Sequence, residues 1–261
     1  MIPKKIHYCW FGGNPLPELA QKCIASWRQY CPDYEIIRWD EHNFDVNSCR
    51  YTQEAYGAKK WAFVSDVARL HALVEQGGIY MDTDVELRQP LDAFLGCEAV
   101  SGFETESTIM TGLMGCEAGH PLFRQLLDGY TDARFLDDAG KPDVTTNVVR
   151  VTQTCMAHGL VPDGRQQTVA GLTVYPKDYF CPKDILTRKL HLTENTHAIH
   201  HFDGSWQSPE EQWFGLCRSR LSRVLPMKVS GYLARGLAAV KYRGLSGLAD
   251  RVKGFVQKRH R

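Results

Sequence analysis

Strand and helix signals alternate through the first eighty residues, and that alternation predicts an α/β fold in which helical crossovers bring strands side by side. Three stretches carry the prediction. Residues 4–11, KKIHYCWF, are β-prone and are closed by the turn Gly12-Gly13-Asn14-Pro15. Residues 17–30 place Leu19, Cys23, Ile24 and Trp27 at helical spacing until Cys31-Pro32-Asp33 breaks the pattern, and a second strand follows over 34–39. A longer helix is expected over 59–76, with Gly77 as its C-cap, leading into the strand-like run GGIYMDTDV. Strand, helix, strand in this order suggests a parallel sheet, whose ligands gather beyond the carboxyl ends of the strands. Gly12-Gly13 and the aspartates of the later run mark two such ends.

With 261 residues, 43% hydrophobic and 23% charged, the chain can bury a substantial core as one large domain or two small ones. The opening MIPKKIHYCWFGG lacks the apolar run of a secretory signal, and nowhere do eighteen apolar residues follow one another. Neither export nor a membrane span is expected. Nine dispersed cysteines without a Cys-x-x-Cys pair argue against a disulfide framework or zinc knuckle and suit a reducing, cytosolic setting.

The net charge of +1 conceals an asymmetry. From Arg218 to Arg261 there are twelve Lys and Arg against the single acid Asp250, leaving nineteen basic and twenty-nine acidic residues in the body. Apolar residues recur there at helical spacing, first Val229, Tyr232, Leu233, Leu237 and Val240, then Leu245, Leu248, Val252 and Phe255. The chain reads as a body over 1–213 and a basic amphipathic helical extension over 214–261, suited to an anionic membrane surface. A helical hairpin packed on the body is the alternative, and Gly231, Gly236, Gly244 and Gly247 weaken any isolated helix. The acidic body argues against nucleic acid as a partner.

Asp82 and Asp84 stand one residue apart at the end of an apolar run. Burying carboxylates is costly without a partner, and a divalent cation is the natural one. Hard Mg²⁺ or Mn²⁺ ions prefer carboxylate oxygen and keep positions open for diphosphate oxygens. Strand alternation would put Tyr80, Asp82 and Asp84 on one side, with Ile79, Met81 and Val85 on the other. In the preceding helix Asp66 and Arg69, three apart, share a face; the plain reading is an intrahelical ion pair of little worth.

Together, IHYCWFGG, FVSDVARLHALVEQGGIYMDTDVE and HHFDGSW resemble glycosyltransferase family 32, the central block covering residues 61–86. The composite Ser-Asp-x-x-Arg, ten residues, then Tyr-x-Asp-x-Asp is similar to that of DXD-containing bacterial sugar transferases and of glucosylating clostridial toxins. The resemblance implies the GT-A fold, a Rossmann-like mixed sheet with flanking helices, and a nucleotide-sugar donor, with UDP as the nucleotide. It implies that Trp10 stacks on the base while the backbone at Phe11 and Gly12 holds it. Asp66 and Arg69 would contact the donor sugar hydroxyls and the phosphate region, with Tyr80 near the ribose. Asp82 would bind ribose and sugar hydroxyls or reach the metal through water, and Asp84 would coordinate the metal directly. His201 would supply a third metal ligand, with His200 as the alternative, since neighbours on a strand point opposite ways. Trp206, with Ser205 beside it, would close over the donor phosphate through its indole N–H. Glu104, Thr108, Thr111 and Met114 are expected on the acceptor side, bordered by residues 143–147.

The implied reaction is Mn²⁺- or Mg²⁺-dependent transfer of a hexose from a UDP-sugar to a hydroxyl of a glycan or lipid-linked glycan, in bacterial surface polysaccharide synthesis. Retention of configuration would follow from front-face attack, with Asp66, Arg69, Asp82 and Trp206 as the catalytic set. The expected location is cytoplasmic, peripheral on the inner face of the cell membrane. Two other classes fit parts of the sequence. One is a haloacid-dehalogenase-like phosphotransferase with its nucleophile motif at Asp82 to Val85, and the other a non-catalytic membrane adaptor acting through the basic tail.

Overall fold

A computed structural model describes residues 1–204 and 208–259, with side chains through residue 244. The chain divides into two compact units, one of residues 1–182 with 191–201, the other of residues 183–190 with 202–261.

In the first unit β1 (Lys5–Cys9), α1 (Glu18–Tyr30) and β2 (Glu35–Trp39) form a strand-helix-strand crossover, with β1 and β2 parallel from Lys5 opposite Glu35 to Cys9 opposite Trp39. Then come α2 (Arg50–Gly57), α3 (Trp61–Gln76) and β3 (Gly78–Met81), which pairs parallel to β1 on its other side. The chain continues through β4 (Val85–Leu87), β5 (Ala99–Gly102), β6 (Leu113–Cys116), α4 (Pro121–Asp128) and α5 (Asn147–Ala157). It closes with β7 (Gln167–Val169), β8 (Leu172–Tyr175), α6 (Lys177–Phe180) and β9 (Ala198–His200). Among the described residues the main sheet has seven strands in the order β2-β1-β3-β6-β5-β8-β7. It is a mixed sheet with flanking helices, as the resemblance implies.

The simple reading of a parallel sheet needs correction, because β6 runs antiparallel to both β3 and β5, and β7 antiparallel to β8. The link from β5 to β6 contains no helix, and a strand that returns without a crossover must return antiparallel. A second correction concerns the aspartates. β3 ends at Met81, and residues 82–85 form a turn closed by the Val85 N–H on the Asp82 carbonyl at 2.9 Å. Strand alternation therefore stops before Asp82, whose own N–H donates to the Gly112 carbonyl at 2.8 Å. Beyond the turn β4 leaves the main sheet and pairs antiparallel with β9, Val85 opposite His200.

Helix α3 is buried on almost every side, with Phe63, Val64, Val67, Ala68, Leu70, Ala72, Leu73 and Val74 in the core, so its few polar side chains are held in fixed surroundings. Gly77 ends it as predicted, at φ 62°, its N–H on the Leu73 carbonyl.

In the second unit α7 (Pro209–Leu221) begins with a Ser208/Glu211 capping box, runs unbroken across residues 213 and 214, and packs on α8 (Met227–Arg259). Ser219, Ser230, Ala234 and Ala238 are its buried small residues, Lys241 Nζ lies 3.3 Å from the Trp213 ring centre, and Arg243 donates twice to Glu210. α8 is interrupted at Gly244. No helix among the described residues is long and apolar enough to cross a membrane. Ser205 and Trp206, expected over the donor phosphate, lie outside the described residues, as do the side chains of Leu245, Leu248, Val252 and Phe255.

Candidate functional site

Asp82, Asp84 and His200 each bring a ligand atom within 4.8 Å of the others. The fold makes this meeting: the turn after β3 presents both carboxylates, and β9 lies beside β4 in the register that carries His200 to Asp84, its Nε2 3.3 Å from Oδ1. His201 was expected beside the two carboxylates, with His200 as the alternative, and the structure places His200 there. Alternation along β9 turns His201 away, with Nε2 2.9 Å from the Glu86 carboxylate, while its main-chain N–H donates to the Asp84 carbonyl at 2.9 Å. Burial alone would depress the pKa of His200, but the Asp84 carboxylate outweighs it and holds the imidazolium well above the usual histidine range. Gly112 leaves room at this point, since a Cβ there would stand 3.1 Å from both Asp82 Oδ2 and His200 Cε1. Two carboxylates and an imidazole crowded together fit a divalent cation of the Mn²⁺ or Mg²⁺ kind.

Beside the cluster, Arg69 joins the expected residues into one network. Its Nη2 lies 3.2 Å from Asp66 Oδ1 and 3.3 Å from Asp82 Oδ1, Nη1 donates to the Thr111 carbonyl at 2.9 Å, and Nε donates to the Ser65 carbonyl at 3.2 Å. The Asp66–Arg69 pair is thus the intrahelical ion pair of the plain reading, but buried and shared with a second carboxylate, that of Asp82. Burial opposes charge on Arg69, and the surrounding Asp82, Tyr80 and Asp66 overcome it and raise the guanidinium above its ordinary value. Arg69 was expected at the phosphate region; with its side chain 6% exposed, it directs its N–H groups at protein acceptors instead. Its guanidinium also lies 4.5 Å from the centre of the Tyr80 ring, whose hydroxyl donates to Asp82 Oδ1 at 2.8 Å. Burial pushes the Asp66 carboxyl up to about 6, against the pull of Arg69.

At the carboxyl end of β1, Trp10 is half-buried, with its indole N–H on the Asn14 carbonyl at 2.6 Å. Phe11 is in the core against Phe44, and the Gly12 N–H donates to Glu41 Oε1 at 2.6 Å. These positions and Asp82 lie at the same end of adjacent parallel strands. On the expected acceptor side, burial raises the Glu104 carboxyl, which faces the charges of His200 and Asp82. Thr111 presents its carbonyl to Arg69, and Thr108 bonds to Thr105 through their hydroxyls. Met114 corrects the expectation: it is buried in β6 opposite Tyr80, a core position rather than an acceptor contact. Asp143 pairs with Arg150 at 2.7 Å, and Asn147 is buried against Asp66.

Comparisons with known proteins bear on the region that holds most of these residues. Residues 17–101 match the family described as a glycosyltransferase sugar-binding region containing a DXD motif. Inositol phosphoceramide mannosyltransferase 3 of Schizosaccharomyces pombe is 30% identical over 134 residues, 48% of this chain and 36% of its own length. Subversion of eukaryotic traffic protein A of Legionella pneumophila is 24% identical over 172 residues, 53% of this chain and 26% of its own. The chain therefore spans about a third or less of the length of these relatives. Among solved structures, PaToxG Glycosyltransferase aligns with 60% of this chain and 68% of its own, at 17% identity and a TM-score of 0.47. Residues 17–101 thus resemble the sugar-binding region of glycosyltransferases that contains a DXD motif, and this stretch holds Asp66, Arg69, Tyr80, Asp82 and Asp84.

Proposed function

We propose that this protein transfers a hexose from a nucleotide-sugar donor, a UDP-hexose, to a hydroxyl of a glycan or lipid-linked glycan in surface polysaccharide synthesis, with retention at the anomeric carbon. The observation that carries the reading is the Asp82, Asp84 and His200 cluster beside the Asp66–Arg69–Asp82 network, all but His200 inside the region matched to the family. Those three ligands would hold Mn²⁺ or Mg²⁺, which supplies positive charge where the diphosphate leaves. The chain's own residues do the rest. Arg69 holds Asp66 and Asp82 at fixed separation, Asp66 accepts hydrogen bonds from the donor sugar, and Tyr80 orients Asp82. The end of β1 at Trp10 receives the base.

The exposed face of α8, Val229, Leu233, Leu237 and Val240, with Lys228 and Arg235 on the same helix, supports a peripheral position on the inner, anionic face of the cell membrane. A lipid-linked acceptor suits that position, and the relative named as an inositol phosphoceramide mannosyltransferase favours including a mannosyl donor among those tried.

A panel of UDP- and GDP-sugars incubated with the protein and Mn²⁺, read as released nucleotide, tests the proposal. Turnover of one sugar nucleotide that disappears with a chelator and in Asp84→Ala is the expected result. Absence of both turnover and metal-dependent nucleotide binding would favour the adaptor, and a phosphorylated Asp82 would favour the phosphotransferase.

A further inference from the structure

We infer that Asn147 is a positioning residue for Asp66, the carboxylate proposed to meet the donor sugar, which it holds by the main chain, and that the Tyr130 hydroxyl steadies Asn147. The inference rests on the proposed glycosyltransferase reading. Asn147 is the first residue of α5 and is 1% exposed. Its Nδ2 donates to the Asp66 carbonyl at 2.8 Å, and its Oδ1 accepts the Tyr130 hydroxyl at 2.8 Å. Because the Asp66 carbonyl can only accept, it takes the N–H end of the amide, and the Tyr130 hydroxyl, donating to the oxygen end, holds the side chain in that orientation.

The start of α5 also bears on the charge of Asp66. The Asn147 main-chain N–H, at the start of α5, and the Arg150 charge one turn on both favour the ionised carboxylate against its burial. Helix α5 further holds the segment that borders the cluster. Thr152 Oγ1 accepts the Ile109 N–H at 3.0 Å, and two residues on the Thr111 carbonyl accepts Arg69 Nη1 at 2.9 Å. One helix, through its buried Asn147 and Thr152, therefore fixes Asp66 directly and Arg69 through the 109–112 segment. Small displacements of a group that orients a reacting sugar lower the rate disproportionately.

Tyr130→Phe removes one hydroxyl and keeps the ring that packs on Tyr51, whereas Asn147→Ala removes the amide. Each is compared with wild type in steady-state kinetics using the nucleotide sugar that wild type turns over fastest with Mn²⁺. Calorimetry with Mn²⁺ and the matching sugar-free nucleoside diphosphate gives the second readout. Loss of one buried hydrogen bond should cost each variant about tenfold in kcat/KM for the nucleotide sugar. The diphosphate alone should bind within about twofold of wild type, since Asp66 meets the sugar. Adding Tyr130→Phe to Asp66→Asn should cost little more than Asp66→Asn alone.

Unchanged kcat/KM in both variants, or equal loss of diphosphate affinity and turnover, overturns the inference. Should Asn147→Ala fail to fold, Tyr130→Phe decides by the same two readouts. A wild-type protein that neither turns over a nucleotide sugar nor binds a nucleotide with Mn²⁺ is a different failure: it refutes the glycosyltransferase reading, and the role of Asn147 toward a donor falls with it.

Discussion

His7 shows how a single residue ties the site to the stability of the fold. It is fully buried on β1, where Trp39 Nε1–H, which can only donate, meets Nδ1 at 3.0 Å, leaving Nε2–H to donate to the Gly77 carbonyl at 2.8 Å. Burial pushes its pKa down from 6.5 to about 4, and a proton on Nδ1 would face the indole N–H, donor against donor. The unfolded chain takes up a proton near pH 6.5 that the folded chain refuses until about pH 4. Stability is thus complete above pH 6.5 and is lost through that window, by about 3 kcal/mol at most from this group. Denaturant unfolding at pH 7.5 and pH 4.5 should show a steeper loss for wild type than for His7→Gln; parallel losses would remove the assignment. Arg69→Met leaves Asp66 and Asp82 without their buried counter-charge, and a loss of about 3–5 kcal/mol in the same measurement is expected. Asp66 and Arg69 were legible from their spacing before Tyr-x-Asp-x-Asp. The roles of His7, Tyr130 and Asn147 were not, because their partners lie on other elements, far away in sequence.

At the scale of the element, two glycines decide where the site can form. Gly77 turns the chain from α3 into β3 at φ 62°, and a Cβ there would stand 2.7 Å from the Ala118 N and 2.9 Å from the Cys116 carbonyl. Gly77→Ala should lower stability by about 1–3 kcal/mol, read as a shift in denaturant midpoint at constant slope. Gly112 is different, because its close neighbours are the side chains of Asp82 and His200 rather than backbone. Gly112→Ala should weaken Mn²⁺ binding about tenfold in calorimetry with little change in unfolding midpoint; unaltered affinity would show that the cation sits elsewhere. The helix ending at Gly77 and the first strands were readable from periodicity to within a residue or two. The turn at 82–85 was not, since Ile-Tyr-Met-Asp-Thr-Asp-Val alternates like a strand and only the departure of β4 to pair with β9 ends the ladder.

At the scale of the whole molecule, the second unit collects the basic charge and leaves an apolar stripe on α8. Val229, Leu233, Leu237 and Val240 recur on one face, while Ser230, Ala234 and Ala238 are buried. Leu233→Ser with Leu237→Ser should abolish sedimentation with vesicles rich in phosphatidylglycerol and leave nucleoside diphosphate binding within about twofold. Sedimentation at the wild-type level would exclude this face as the membrane contact. The charge asymmetry was plain in the sequence, and so was the helical spacing; which apolar residues stay exposed depends on how α7 covers α8.

The sequence by itself determined the α/β class, the order of the early elements, the DXD-containing region and the identity of the carboxylates and arginine in it. These depend on local periodicity and short spacing, which neighbouring residues carry whatever the rest of the chain does. Tertiary structure alone decided that His200 rather than His201 meets Asp82 and Asp84, that Arg69 holds two aspartates together, and that Asn147 grips Asp66. Each of those depends on register or packing between segments far apart in the chain. A shift of one residue in the pairing of β4 with β9 would exchange the two histidines without altering any local signal.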